Sequence, residues 1–302
     1  MTYKEDKAIM FRESDLEAID GILYEPKEEE LLLRTLFSVK TDIDPGAEKY
    51  SYDVIKRSGV AKIIGPQSND IPLVEADMDR NTVDIYSIAT GFKIGIQEMR
   101  AAQFTNRPID ATKASIARKA IAQKENSLGW IGDDDYNIEG ILKTTGIQTF
   151  TVPASGTGDT TPWANKTGLQ IIADIRAARA KVNKLPGHSV DTLILPSDYY
   201  EMLQNPVSDY DTRPLVQYLT SVGWFTRIEK SDDLVGQGDG GSDCFMVMDT
   251  SPEVAELLVP MDITRHEQEY AFPFMKVPIE ERTGGMIIRY PQAFCRADGI
   301  SA

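Results

Sequence analysis

The sequence predicts an α+β fold in two lobes, and three observations carry that expectation. From Tyr50 to Ile96, β-branched and aromatic residues fall at alternate positions, as in Val83 and Ile85, Tyr86 and Ile88, and Phe92, Ile94 and Ile96, which is strand periodicity. From Ala111 to Leu128 there is neither Gly nor Pro, the mark of a long helix. Beyond residue 150 short helical and strand-like pieces take turns, and no segment repeats at a fixed period, so solenoids and propellers are set aside. A chain of 302 residues has room for lobes of roughly 100 to 150 residues each.

In chain order, the first 45 residues hold two short helical candidates. One opens with the capping-box pattern Ser14-Asp15-Leu16-Glu17, the other with Pro26 and the acidic first turn Glu28, Glu29 and Glu30. Their apolar residues, Ile19, Leu23, Leu31, Leu32, Leu36 and Phe37, are too few to close a core, so the segment is an arm that lies on something else. Tyr50 to Ile96 then predicts a long hairpin, with turn signals at Ser58-Gly59, Gly65-Pro66 and Ser68-Asn69-Asp70 and a polar, acidic tip from Pro66 to Arg80. An isolated two-stranded hairpin is marginal in water and leaves both edges unpaired. Such a ribbon needs a neighbour, and a second copy of the chain would serve.

Pro108 and the N-cap candidate Asp110 open the long helix. Ile116, Ala117, Ala120, Ile121 and Leu128 predict its buried face, and Gly129 with Gly132 and Asp133-Asp134-Asp135 predict its end. Tyr136 to Leu142 follows as a buried strand or turn. Thr151 to Gly168, with Pro153-Ala154-Ser155-Gly156-Thr157-Gly158, reads as the loop into the second lobe. There Leu169 to Leu185 predicts an amphipathic helix and Thr192 to Leu195 a buried strand. Ser197 to Leu203 is a helix capped by Ser197, and Pro214 to Val222 another. Phe245 to Met248, Val254 to Val259 and Met286 to Tyr290 complete the strands.

Composition excludes several classes of function. The apolar fraction is 41%, and no apolar run reaches the roughly 18 residues that span a bilayer. The start, Met1 to Lys7, is charged and lacks the apolar core of a signal peptide, which places the chain in cytoplasm. Cys244 and Cys295 form no framework spacing, so free buried thiols are expected. With 32 basic and 47 acidic side chains the formal charge is −15, which argues against gripping phosphates as the main task. It is compatible with a container wall that contacts packed DNA only weakly.

No constellation predicts chemistry, so no catalytic, cofactor-binding or metal-binding residue is assigned. Gly236-Gln237-Gly238-Asp239-Gly240-Gly241 fits the letters of the dinucleotide motif, but a strand-like stretch follows it where the motif needs a helix. Asp133, Asp135, Asn137 and Glu139 alternate as calcium ligands do, yet Ile138 stands where that loop requires Gly and Thr144 where it requires Glu. His188 and His266 belong to no metal-hydrolase motif, and no serine sits in G-x-S-x-G. In so acidic a chain the neighbours Glu280 and Glu281 carry no weight as an acid-base pair.

The order of parts and several quoted stretches resemble the major capsid proteins of tailed bacteriophages. These stretches are Ser51-Tyr52-Asp53, Ser58 to Ile64, Asp70-Ile71-Pro72-Leu73-Val74, Ala111 to Asn126, Gly132, and Gly140-Ile141-Leu142. The resemblance implies the HK97-type capsid fold, divided as follows: an N-arm at 1–45, an extended E-loop hairpin at 46–95, and a P-domain at 96–150 with its spine helix at 110–128. An A-domain at 151–267 and a P-domain return at 268–302, around Gly284 to Tyr290, complete it. It further implies a non-enzymatic shell subunit of the virion, assembled in host cytoplasm from homopentamers and homohexamers. Portal and scaffolding proteins, packaged double-stranded DNA contacted non-specifically, and a decoration protein are the implied partners; no membrane is. No long coiled segment precedes the arm, so the scaffold is separate, cleaved beforehand or dispensed with. An encapsulin-like nanocompartment shell is the first alternative reading, and a soluble enzyme built on the mixed lobe around Leu169 to Val259 is the second.

Overall fold

The computed structural model describes residues 31–63, 73–105 and 109–301. The helical candidates at Ser14 and Pro26, and the turn signals from Gly65 to Asp70, lie outside the described residues.

The described chain opens with a one-turn helix, α1 (Leu33–Leu36), and a short strand, β1 (Ser38–Lys40). The ribbon follows as β2 (Lys49–Ser58) and β3 (Glu75–Asp84), and then β4 (Tyr86–Gly95). Helices α2 (Ile96–Thr105) and α3 (Ile109–Trp130) come next, then a small hairpin of β5 (Gly132–Asp133) and β6 (Ile138–Glu139). The second lobe runs β7 (Gln148–Thr151), α4 (Gly168–Asn183), β8 (Thr192–Leu195) and α5 (Ser197–Met202). It continues through β9 (Pro206–Ser208), β10 (Asp211–Pro214), α6 (Leu215–Ser221), β11 (Arg227–Lys230) and β12 (Cys244–Met248). The last strands are β13 (Ala255–Leu258), β14 (Met261–Arg265), β15 (Glu269–Ala271), β16 (Phe274–Thr283), β17 (Gly285–Ile288) and β18 (Phe294–Asp298).

A five-stranded sheet in the order β11-β8-β12-β18-β7 separates two cores, because strand side chains alternate between faces. Leu193, Leu195, Phe245, Val247, Cys295 and Ala297 face α4 and its cluster. Ile194, Cys244, Met246, Met248 and Phe294 face the other core, with Leu33, Phe37, Trp130 and Leu142. Helix α4 buries Ile171, Ile175, Ala178 and Val182 at helical spacing, and the Gln170 carboxamide oxygen accepts the Thr167 N–H at its start (2.8 Å). The two thiols thus lie on opposite faces of the sheet, both free. Burial pushes Cys244 up to about 12 and Cys295 up to about 11, so neither is a ready nucleophile.

Two further sheets join distant parts of the chain. β1 runs parallel to β13, which pairs antiparallel with β17. β16 pairs along ten positions with β4 and on its other side with β14 and β15. Across that sheet lies α3, with Ala117 and Ile121 against Ile279.

The structure departs from several expectations of the sequence. The ribbon is β2 against β3, ten residues each; β4 leaves it and pairs with β16 instead, so the expected hairpin to residue 95 ends at Asp84. Helix α3 runs through Gly129 to Trp130, because Leu33 packs flush where a Cβ would stand and the missing side chain makes room for the arm. On α3, Ile116 and Ala120 are exposed whereas Glu125 and Asn126 are buried. Ser197 is the first helical residue of α5, and Pro196 holds the cap position. After residue 268, the strand that completes the sheet with β4 is β16. The stretch at Gly284 to Tyr290 pairs with β13, and β18 returns to the five-stranded sheet.

Candidate assembly surfaces

Strand β3 of the ribbon is exposed from Glu75 to Thr82. The base of the ribbon is held: Tyr50, Tyr52 and Val83 pack on a small core of Ile85, Leu258 and Ile287, and the Tyr52 hydroxyl donates to the Ile288 carbonyl (3.0 Å). Cross-strand pairs tie its two strands together, with Arg80 bridging to Asp53 (2.8 Å) and Ser51 beside Thr82 (3.0 Å). Ten residues at about 3.3 Å each make each strand roughly 33 Å long. Toward its tip the ribbon exposes Ile55 (54%), Val60 (76%), Ile63 (98%), Leu73 (86%), Val74 (74%) and Met78 (69%). So many uncovered apolar residues on one projecting element mark a contact surface. At the ribbon base a polar cleft of about 340 Å³, lined by Tyr52, Asn81, Glu139 and Thr145 among others, separates it from the β5–β6 turn.

The segment after residue 30 is a clasp across the molecule. Leu33 and Leu36 are buried, Asn126 Oδ1 accepts the Leu33 N–H (3.4 Å), and Arg227 donates to the Thr35 carbonyl (2.9 Å). Arg34 reaches three carboxylates: Glu125 on α3 (2.8 Å), Glu281 on β16 (2.6 Å) and Asp262 on β14 (3.0 Å). Burial alone would weaken its charge, but these carboxylates outweigh it and hold the guanidinium proton more firmly than usual.

The residues weighed for chemistry do not converge. Gly236 to Gly241 forms a loop with a short 3₁₀ turn at Asp239–Gly241, and β12 follows directly where a helix would be needed. Asp133 pairs with Lys124 (3.0 Å), and Glu139 accepts from Thr145 (3.1 Å). Among the described residues no cluster of three or more His, Cys, Asp or Glu side chains could hold a metal ion, and no helix is long and apolar enough to cross a membrane. His188 lies on Tyr290 (5.3 Å between rings) and His266 bonds Glu280 (2.8 Å), in separate parts of the fold. Glu280 and Glu281 point to opposite faces of β16, so Glu281 meets Glu125 and not its neighbour. Sequence reasoning missed that cluster because charged residues on a helix normally face water; the one available signal was that Glu125 continues the face of Ala117 and Ile121 at four-residue spacing.

A projecting ribbon, a long helix across a sheet, a five-stranded lobe and an arm that clasps both define an HK97-type fold. The chain belongs to the major capsid protein family, whose model matches residues 59–300. Its fold is similar to the capsid of Myoviridae phage XM1, with a TM-score of 0.78 at 13% identity over 96% of this chain and 99% of that one. It also resembles the virus-like particle from Pyrococcus furiosus, with a TM-score of 0.60 at 18% identity over 88% and 92%. In sequence it is 23% identical to the type 1 encapsulin shell protein of Myxococcus xanthus, over 96% of this chain and 94% of that protein.

Proposed function

We propose that this chain is the major capsid subunit of a tailed bacteriophage, self-assembling as pentamers and hexamers of an icosahedral shell around double-stranded DNA. The observation that carries this reading, within the family, is the ribbon, whose described apolar residues Ile55, Val60, Ile63, Leu73, Val74 and Met78 are exposed. A specific interface buries on the order of 1,200 to 2,000 Å² in total, and a ribbon roughly 33 Å long laid on a neighbour supplies much of that. The role is structural, with no catalytic step of its own. Residues 31–45 act as the inner end of an N-arm, the ribbon as the E-loop, α3 as the spine helix and the five-stranded lobe as the A-domain. Assembly in host cytoplasm, portal and scaffolding proteins, a decoration protein and non-specific contact with the packaged DNA belong to the same reading.

The test removes the ribbon above its anchored base. Replacing Val54 to Asp79, which are register partners, with a two-residue Asn-Gly turn leaves Tyr50, Tyr52 and Val83 in place. The expected protein melts cooperatively like its parent but forms no shells in electron micrographs. Intact shells of parental size would refute the intersubunit role.

The likeness to the encapsulin shell protein, which extends over nearly the whole of both chains, supports a second reading as a nanocompartment shell. Particles purified after nuclease treatment decide between the two: protected double-stranded DNA supports the phage reading, a co-purifying enzyme cargo the other.

A further inference from the structure

Glu125 and Glu281 present an arrangement that a folded protein rarely keeps without use. Both are buried, at 3% and 0% exposure, and α3 and β16 bring them to one guanidinium, that of Arg34. Each gives one oxygen to Arg34. Their second oxygens, Glu125 Oε1 and Glu281 Oε2, are buried with no hydrogen-bond partner among the described residues. Two buried carboxylates on one guanidinium, each with an unpartnered oxygen, are costly when both groups are ionised, and a proton on one of them lowers that cost.

We propose that Glu281 keeps its proton beside Glu125 and that this pair, gripped by Arg34, is a proton-operated clasp joining the arm segment and α3 to the β4–β16 sheet. Among the described residues, the charged groups around it include Arg34 from α1 and Asp262 from β14, with Arg118 from α3 acting on Asp262; β4 presents Ile88, the register partner of Glu281, and Phe92. With the proton present, the two glutamates carry one negative charge opposite Arg34. When it leaves, like charges face each other in a dry joint and push α3 from β16. The sheet on that side of the joint carries β4, which continues directly from the ribbon, so the proton governs how firmly the ribbon's root is held to the rest of the subunit.

Burial first, and then the Glu125 charge, push the Glu281 carboxyl up to about 8, against about 4.3 for an open, hydrated glutamate. A raised native pKa makes the contribution complete below the open-state value and lost as pH rises through the native one. Opening of this joint therefore releases a proton between these limits, and its equilibrium rises about tenfold per pH unit before levelling above about pH 8.

Hydrogen exchange of the full chain from pH 5 to 9, divided by intrinsic rates, reads this directly at the amides of 33–37 and 121–128. Protection there is expected to fall about tenfold per pH unit and then level off, while Glu281→Gln, which mimics the neutral acid, loses that slope. An unchanged slope in Glu281→Gln, or flat protection in the parent, overturns the proposal. Should the variant fail to fold, infrared absorption of the parent decides: a protonated-carboxyl band at neutral pH that titrates away near pH 8 is expected, and its absence overturns the clasp.

Discussion

Gly140 sits where two backbones touch: a Cβ there would lie 2.3 Å from the Gly132 nitrogen and 2.6 Å from the Trp130 carbonyl oxygen. These are main-chain atoms that cannot rotate aside. Gly132 itself has φ +81 and lies as close to the Ile138 carbonyl (2.3 Å from its Cβ position), so the pair forms a backbone crossing that seats Ile141 and Leu142 in the core. The expected outcome of Gly140→Ala is a loss at or above the upper end of the ~1–3 kcal/mol that overpacking costs, measured by denaturant unfolding. Stability within about 0.5 kcal/mol of the parent would show that the turn can relax. From the sequence, Gly132 was legible as part of the helix end and Gly140 as part of a buried strand or turn from Tyr136 to Leu142. Their mutual contact was not, since a glycine's spacing does not say which backbone comes near it.

Helix α3 shows how far periodicity reaches and where it stops. Its length was legible because a run without Gly or Pro, with helix-favouring residues, is a local property. Its buried face was only partly so: Ala117, Ile121 and Leu128 meet the core, but Ile116 points away at 55% exposure. With four-residue spacing, both Ile116–Ala120 and Ala117–Ile121 offer an apolar stripe, and the neighbours choose between them. Ile121→Ala is expected to cost about 2–5 kcal/mol as a core truncation, whereas Ile116→Ala, on the same helix, should stay within about 0.5 kcal/mol. Thermal melts of the two variants under one condition check this. Equal losses would mean that Ile116 is covered in the protein as studied, which would place a partner on that face.

At the scale of the whole molecule, charge is the dominant general property. Subunits of formal charge −15 repel when packed side by side, and that repulsion is screened over about 10 Å at ~0.1 M ionic strength. Assembly is expected to improve from low to moderate sodium chloride, followed by light scattering. A monotonic loss of particles over that range would show that attractive ion pairs, not screened repulsion, govern the contacts. Within the subunit the same acidity is managed locally, as where Arg34 gathers Glu125, Asp262 and Glu281. That cluster unites α1, α3, β14 and β16.

Elements whose signal is local were legible along the chain. Strand β8 falls at the expected Thr192–Leu195, α4 matches its amphipathic run, and the ribbon, the long helix and the alternating second lobe come in the expected order. Hydrophobic period and turn residues suffice for these because each is fixed within a few positions along the chain. Which strands pair was settled by the folded chain as a whole. Strand β4 turns from the ribbon to β16, β17 joins β13, and β18 closes the five-stranded sheet, because a strand's alternation names its faces and not its partner. The folded chain likewise decided that Glu281 is buried against Glu125 while Glu280, one residue earlier, bonds His266. The fate of a carboxylate depends on what the distant chain brings to it, and the cost of burying that charge is met only by a cation and a proton that no local pattern reveals.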